Sequence, residues 1–288
     1  MNGFLNLYKP KGVSSAYILN ILKRSIRGET VGHMGTLDPL ASGVLPVAIG
    51  KSTRLFDYLL DKKKEYIADI EFGYSTDTFD LEGKVVEKSD ILPDEHIVQA
   101  ACDKMIGEIM QVPPAFSAKC IDGKRSYELA RKGQILELPP KRVVIDEIKI
   151  LKRISESKYS LKIICGGGTY IRSIARDLGK ACGSCATMTS LVRSASGIFR
   201  IENSITVDEF KDTTYKAALL IPPEYVIDYP EIRLNKVQAE RLFNGLYDVY
   251  NFADGLYKVF EPNSFYGVGE VKNGKIKVKA YIRDNGSL

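Results

Sequence analysis

Hydrophobic positions recur along this chain with two different periods, and each period predicts an element. After Ser14 and Ser15, which offer a side-chain cap, Ile18, Leu22 and Ile26 recur every four residues, predicting an amphipathic helix that ends near Gly28. From Tyr66 the period becomes two: Tyr66, Ala68, Ile70 and Phe72 share one face of a strand. Asp94 is placed to cap a second helix with Ile97, Ala100, Ala101 and Met105 on its buried stripe. Leu161, Ile163 and Cys165 mark another strand, closed by Gly166-Gly167-Gly168. A helix follows at once, with Ile171, Ile174, Ala175 and Leu178 inward and Gly179 as its stop.

Beyond this the pattern changes. Pro222-Pro223 and the stretch to Pro230 read as a linker. Four short strand-like runs follow, at Leu246–Phe252, Leu256–Phe260, Phe265–Val271 and Ile276–Ile282, punctuated by Gly and Asn; they predict a small β-barrel or sandwich. In the last run Ile276, Val278, Ala280 and Ile282 alternate with Lys275, Lys277 and Lys279. That row of lysines suits a phosphate backbone, and it equally suits a solvent-exposed edge strand protected against pairing.

Length and composition narrow the classes. The 288 residues suffice for one large domain and a small one, and 44% hydrophobic with 27% charged residues is the balance of a folded soluble protein rather than a disordered one. The net charge of +5 is too mild to identify a nucleic-acid binder by itself, so its distribution matters. The interval from Lys119 to Arg142 carries Lys119, Lys124, Arg125, Arg131, Lys132, Lys141 and Arg142 against Asp122, Glu128 and Glu137. Pro113-Pro114 precede it and Pro139-Pro140 lie near its end. It reads as a basic excursion from the main sheet, or as a solvated surface segment. No basic head with an apolar core opens the chain, and no run of about 18 apolar residues occurs, so neither a signal peptide nor a membrane span is expected. Five scattered cysteines, an odd number, do not suggest a disulfide framework, and a reducing cytoplasm is the expected compartment.

Several motifs fail on inspection. Gly50-Lys51-Ser52 resembles the end of a phosphate-binding loop, but Leu45 stands where that loop needs glycine. The Gly166–Gly168 run lacks dinucleotide spacing. Cys182 and Cys185 form a CxxC, yet zinc needs two further ligands, and His33 and His96 are the only histidines. A turn with two packed thiols is the expectation, with no metal site.

The segment Gly32-His33-Met34-Gly35-Thr36-Leu37-Asp38-Pro39-Leu40-Ala41-Ser42-Gly43 is rich in Gly and Pro between hydrophobic segments, so it is a shaped loop. Proline pushes Asp38 away from helical angles and presents its carboxylate from an extended loop. Alone, Asp-Pro is more often a turn than a nucleophile. The segment, however, resembles the active-site loop of TruB-type tRNA pseudouridine synthases, with the G-H-x-G-x-L-D-P pattern intact. Other family segments are matched in order: Lys9-Pro10-Lys11-Gly12-Val13-Ser14-Ser15, Lys64-Glu65-Tyr66, Thr76-Asp77-Thr78-Phe79-Asp80-Leu81-Glu82-Gly83, Gln111 to Ala118, Gly168-Thr169-Tyr170-Ile171-Arg172, and Leu191-Val192-Arg193. The resemblance spans roughly residues 4 to 200. One departure is Gly166-Gly167, where a Ser-Lys pair often precedes G-T-Y-I-R.

The resemblance implies an α+β pseudouridine synthase fold, with a mixed, mainly antiparallel sheet flanked by helices in a catalytic domain over 1–225. It also implies a small β-rich PUA-like RNA-binding domain over 231–288, the looser part of the likeness. The implied activity is isomerisation of a T-loop uridine of tRNA, position 55, to pseudouridine, with the base flipped out of its stack, no cofactor, tRNA as partner and no obligatory protein partner. It assigns Asp38 as nucleophile, Arg172 as the cation that keeps it ionised, and Tyr66 as the residue that stacks on the base and mediates proton transfer. Leu191 would cover the base's other face and His33 would fill the gap left by the extruded nucleotide; Lys64, Lys9 and Tyr170 join them as substrate contacts. Without it, Arg172 reads as a surface helix residue and Tyr66 as a core aromatic. The basic interval resembles the arm that grips the T stem-loop. A non-catalytic RNA-folding protein and a guide-RNA-dependent synthase are the two rival readings.

Overall fold

The computed structural model describes residues 1–59, 63–117, 120–121, 124–125, 138–246, 251–262 and 264–282. The chain opens with β1 (Gly3–Lys9), helix α1 (Ser15–Ser25), β2 (Val31–His33) and β3 (Ser42–Ile49), then a 3-10 segment, Gly50–Tyr58. Next come β4 (Lys64–Phe72), the hairpin of β5 (Tyr74–Thr76) and β6 (Val85–Lys88), helix α2 (Glu95–Asp103) and β7 (Gly107–Gln111). The short pair β8 (Cys120–Ile121) and β9 (Lys124–Arg125) precedes β10 (Lys141–Arg153), β11 (Lys158–Cys165), helix α3 (Ile171–Ala181), β12 (Ala186–Ser196), β13 (Phe199–Arg200) and helix α4 (Val207–Asp212). The C-terminal part holds β14 (Glu231–Arg233), helix α5 (Lys236–Phe243), β15 (Gly255–Glu261), β16 (Ser264–Lys272) and β17 (Lys275–Tyr281).

The main sheet runs β1-β3-β12-β4-β11-β10-β7, with β2 added to β3 and β13 to β12. Its pairings are antiparallel except where β12 meets β3, at Val192 opposite Ser42 and Arg193 opposite Gly43. This is the mixed, mainly antiparallel sheet expected of the fold. The parallel crossing depends on Gly43: its φ is +105°, and a Cβ there would lie 2.3 Å from the Arg193 carbonyl oxygen.

Two hydrophobic layers grip the sheet. On β1, Leu5 and Leu7 face the layer built with α1, α2 and α3, while Phe4 faces the opposite one. On β3, Leu45, Val47 and Ile49 take the helical side and Val44 and Ala48 the other. Burial on both faces explains why this strand is apolar almost throughout instead of alternating. The second layer is closed by Phe260, Phe265, Val268, Ala280 and Ile282, so the C-terminal sheet, ordered β14-β15-β16-β17, packs on the first part through a shared core. Arg54 reinforces this packing, with its guanidinium 4.5 Å from the centre of the Tyr281 ring.

The expected alternation on β4 is present, with Tyr66, Ala68, Ile70 and Phe72 buried. Ser14 caps α1, its hydroxyl accepting from the Tyr17 amide at 3.1 Å. Three expectations are corrected. On α2 the buried stripe is Val98, Ala101, Cys102 and Met105, while Ile97 and Ala100 face outward; the true stripe follows i, i+3, i+4, i+7 from Val98. Gly179 does not stop α3, which continues to Ala181. It is glycine because a Cβ would sit 2.6 Å from the Ala186 amide nitrogen, where β12 packs against the helix. The C-terminal strands form an open four-stranded sheet; β14 arises at the end of the expected linker, α5 lies in a stretch without a predicted element, and Asn251 and Phe252 are not in a strand, residues 247–250 lying outside the described residues.

The basic excursion leaves from β7 and returns into β10, which pairs with β7 through Lys141 opposite Gln111 and Arg142 opposite Met110. Lys119, Arg131 and Lys132 lie outside the described residues; Lys124 and Arg125 form β9, opposite β8.

Candidate active site

The loop between β2 and β3 carries Asp38, and side chains distant in sequence hold its backbone. Ser15, at the start of α1, brackets the Leu37 peptide: its hydroxyl donates to the Leu37 carbonyl and accepts from the Leu37 amide, each at 2.9 Å. The Gly12 amide donates to the Pro39 carbonyl at 2.8 Å. Arg193 of β12 donates from Nε to the Val44 carbonyl at 2.7 Å, from Nη1 to Thr36 at 3.4 Å and from Nη2 to Gly35 at 3.2 Å. Lys9 is fully buried, and its ammonium donates to the carbonyls of Val13 at 2.7 Å, Pro10 at 2.9 Å and Pro39 at 3.5 Å. These bonds fix the loop before substrate arrives, the arrangement that preorganised chemistry needs.

From this loop the Asp38 carboxylate emerges with about a third of its side chain exposed, and Arg172 Nε meets its Oδ2 at 2.9 Å. Arg172 is in the first turn of α3. Gln111 fixes the turn's entry, accepting from the Tyr170 amide at 2.8 Å and donating to the Tyr170 carbonyl at 3.1 Å. The guanidinium also donates to the carbonyls of Phe116 at 3.0 Å and Thr78 at 3.3 Å, and faces a second carboxylate, Asp80, at 3.5 Å. Asp80 is itself buried and accepts from the Thr78 hydroxyl at 2.6 Å and the Glu82 amide at 3.0 Å. An always-charged guanidinium thus lies between an enclosed carboxylate and an accessible one.

Tyr66 on β4 is buried and stands opposite Arg193 on β12; Leu191, two residues earlier, stands opposite Ala68 on the same face. Burial pushes the Tyr66 phenol above its ordinary value, against the pull of Arg193 beside it. Lys64, half-buried at the start of β4, is pushed down by burial and then by the like charges of Arg193 and Lys141. His33 ends β2 half-buried, its pKa lowered by burial and by Arg193, and its Nδ1 has no hydrogen-bond partner among the described residues. Tyr170 caps α3 through its backbone.

The structure therefore joins Asp38 to Arg172 and sets Tyr66, Leu191, Lys64 and His33 around the strands that carry their loop. Lys9 is placed otherwise than a substrate contact requires: enclosed beneath the loop, with its pKa pushed down to about 8 by burial, it ties the β1 end to Pro39. Of the basic residues, Arg142 is paired with Glu108, and Lys141 lies over the Gly168 turn. Lys275, Lys277 and Lys279 share the exposed face of β17, with Lys279 bonded to Glu270 at 3.1 Å. Ser15, Gln111, Asp80 and Arg193 were not among the expected site residues, although each lies inside a matched segment. Cys182 and Cys185 lie across the α3–β12 turn as buried free thiols, with Cys182 pushed up to about 11 by burial.

The chain is similar to known proteins along nearly its whole length. The model of the TruB family pseudouridylate synthase N-terminal domain matches residues 23–171, and that of the tRNA pseudouridylate synthase B C-terminal domain matches residues 172–226. A Caldanaerobacter subterraneus protein named tRNA pseudouridine synthase B is 36% identical over 283 residues, covering 97% of this chain and 98% of its own. The Acaryochloris marina protein of the same name is 38% identical over 287 residues, covering 98% and 99%. Among solved structures, a chain from a Cbf5-Nop10-Gar1 complex superposes with a TM-score of 0.73 at 25% identity, over 98% of this chain and 85% of that one. A chain of an H/ACA RNP bound to a substrate RNA containing 2'-deoxyuridine has the same fold, with a TM-score of 0.73 at 23% identity over 99% and 86%. With two family models matched in succession and relatives 36–38% identical over nearly the full length of both chains, the chain belongs to the TruB family of pseudouridine synthases.

Proposed function

We propose that this protein isomerises a uridine of tRNA to pseudouridine, that the uridine is position 55 of the T loop, and that Asp38 is the nucleophile. The observation that carries this reading is the Asp38 carboxylate, partly open to solvent on a loop fixed from both sides and held at 2.9 Å by an otherwise buried arginine. Arg172 orients the carboxylate through a charge-assisted contact, as a nucleophile of this kind requires. In the isomerisation the C1′–N1 bond breaks, the uracil turns and C5 joins C1′, while one proton leaves C5 and one arrives at N1. No group enters or leaves, so no cofactor is needed.

The target base must leave its stack to reach a carboxylate in such a site. Tyr66 and Leu191, neighbours on one face of the sheet, suit the two sides of an extruded base. His33, kept toward its neutral form by burial, suits the gap left in the RNA. Lys64 and Tyr170 suit contacts to the same nucleotide, whereas Lys9 acts by holding the loop. The segment 119–142 and the β17 lysines supply phosphate contacts in this reading, with 231–288 as a PUA-like RNA-binding unit beside the catalytic domain of 1–225. No described helix is long and apolar enough to cross a membrane, and the protein would work on tRNA in the cytoplasm.

The test is incubation of the purified chain with unmodified tRNA and with its isolated T stem-loop, followed by mapping of pseudouridine at nucleotide resolution. Modification at position 55 in both supports the reading. Modification elsewhere, or none, contradicts it.

A further inference from the structure

Among the described residues only Phe79 and Asn273 have a positive φ without being glycine. Asn273 precedes Gly274 in the β16–β17 hairpin, and Asn-Gly is the ordinary pair for such a turn. Phe79, at φ +60°, is a bulky residue in a conformation that glycine or asparagine usually takes, and holding it there costs free energy. It stands in the tight turn after β5: its amide donates to the Thr76 carbonyl at 3.2 Å, and its carbonyl accepts from the Met188 amide of β12 at 3.0 Å. Its neighbours on both sides serve one group. The Thr78 carbonyl and the Asp80 carboxylate face Arg172 Nη1, at 3.3 and 3.5 Å. The Phe79 ring itself lies against the guanidinium of Arg176, 5.1 Å from the ring centre. Arg176 in turn bonds to Asp177 at 2.7 and 3.0 Å and to the Val112 carbonyl at 3.2 Å. Arg172 and Arg176 are four residues apart on α3 and share one face of it. Three consecutive residues thus grip one face of one helix.

We propose that Phe79 is a positioning residue for the isomerisation: its ring, clasped by Arg176, holds the left-handed turn that aims the Thr78 carbonyl and the Asp80 carboxylate at Arg172, and so fixes the guanidinium that meets Asp38. The proposal rests on the reading of Asp38 and Arg172 as the pair at the reacting nucleotide. A guanidinium is planar and rigid, so holding Nη1 sets where Nε points. Arg172 Nε meets Asp38 Oδ2 at 2.9 Å, and a displaced donor carries its error to that carboxylate. Gly83 leaves no slack on the other side of the turn, because a Cβ there would lie 2.3 Å from both Asp77 Oδ1 and Thr78 Oγ1. Glycine at position 79 would satisfy the backbone without strain, but it lacks the ring that ties the turn to α3. With phenylalanine, strain and ring contact oppose each other, and the contact decides where the turn sits.

The test uses the full chain, unmodified tRNA and the variants Phe79→Gly, Phe79→Leu and Phe79→Tyr, with tRNA affinity, thermal midpoint and single-turnover rate measured for each. Phe79→Gly removes strain and ring together, so the midpoint should stay within about 3 °C of the wild type while the rate falls about tenfold or more and affinity stays within about threefold. Phe79→Leu keeps a bulky side chain on the same strained backbone without the ring. It should be as slow as the glycine variant with a lower midpoint, and it carries the test should the glycine variant not fold. Phe79→Tyr keeps the ring and should keep the rate within about twofold of the wild type. In an Asp80→Asn background Phe79→Gly should cost about threefold or less, since the carboxylate that the turn aims is already gone. Equal losses in both backgrounds overturn the route through Arg172. A glycine or leucine variant as fast as the wild type in the folded fraction overturns the proposal, and so does a tyrosine variant as slow as the glycine one. Affinity lost in step with the rate would make the ring an RNA contact and overturn it as well. A wild type that forms no pseudouridine contradicts the reading of the site on which the proposal rests, whereas a fast Phe79→Gly variant leaves that reading standing.

Discussion

Replacing Asp80 by asparagine tests how the cation of the site is braced. The Asp80 carboxylate is 2% exposed, accepts from Thr78 at 2.6 Å and Glu82 at 3.0 Å, and faces Arg172 Nη1 at 3.5 Å. Asparagine keeps the volume and one acceptor oxygen for the two local donors, but it turns an amide N–H2 toward the guanidinium, so donor faces donor. At an effective dielectric of about 20, opposite charges at this separation attract by about 5 kcal/mol, which the desolvation of both groups partly offsets. Breaking a buried pair typically costs about 3–5 kcal/mol. Here Arg172 keeps Asp38 at 2.9 Å and two carbonyls, so a loss of about 2–3 kcal/mol is expected. Urea unfolding should show a lower midpoint with an unchanged slope. The single-turnover rate should fall by about tenfold or more as Arg172 loses its brace, with tRNA affinity preserved. A stability change under about 0.5 kcal/mol with an unaltered rate would show that the carbonyls alone hold Arg172.

Three further outcomes follow from the same geometry. Ser15→Ala leaves the Leu37 amide and carbonyl unpaired in a buried place and should destabilise the chain by about 2–4 kcal/mol in urea unfolding; a neutral change would mean that the bracket is dispensable. Lys9, pushed down to about 8 from 10.5 chiefly by burial, binds fewer protons folded than unfolded between those two values, so stability from this group rises as pH rises through that window. The difference in stability between wild type and Lys9→Met should therefore change by up to about 3 kcal/mol in favour of the wild type from pH 8 to 10.5, and a flat difference contradicts an enclosed ammonium. Neutralising Lys275 and Lys277 should flatten the log–log dependence of tRNA affinity on salt by about 0.7 to 0.9 for each phosphate no longer neutralised, with Lys279, bonded to Glu270, contributing less; an unchanged slope removes this face from the interface.

What the sequence discloses here follows physical range. The period-two run on β4 and the capped α1 are local patterns, and both are legible. On α2 the stripe is misplaced because several apolar side chains offer overlapping registers. Helix α5 and strand β14 lie in a stretch that reads as a linker and a gap, since short elements with mixed polarity leave a weak period. The roles expected of Asp38, Tyr66 and Arg172 come from resemblance, because Asp-Pro alone is an ordinary turn signal. The bracing residues escape for another reason. Ser15 to Leu37 spans 22 positions and Arg193 to Gly35 spans 158, and side-chain bonds to backbone carbonyls impose no spacing on the sequence. Lys9 is expected to touch substrate because a lysine beside such a loop looks available, whereas its enclosure and its bonds to three carbonyls are visible only in three dimensions.

The central claim is that Asp38 performs the chemistry and is not merely a turn residue. Asp38→Asn keeps the shape of the side chain and a partner for Arg172, but removes the nucleophile and its charge. Affinity for unmodified tRNA and single-turnover pseudouridine formation, measured together on this variant, test that claim most directly. Binding should persist at wild-type strength or slightly tighter, with turnover at background. A retained rate above about a tenth of wild type, a barrier change under about 1.4 kcal/mol, would contradict Asp38 as the nucleophile.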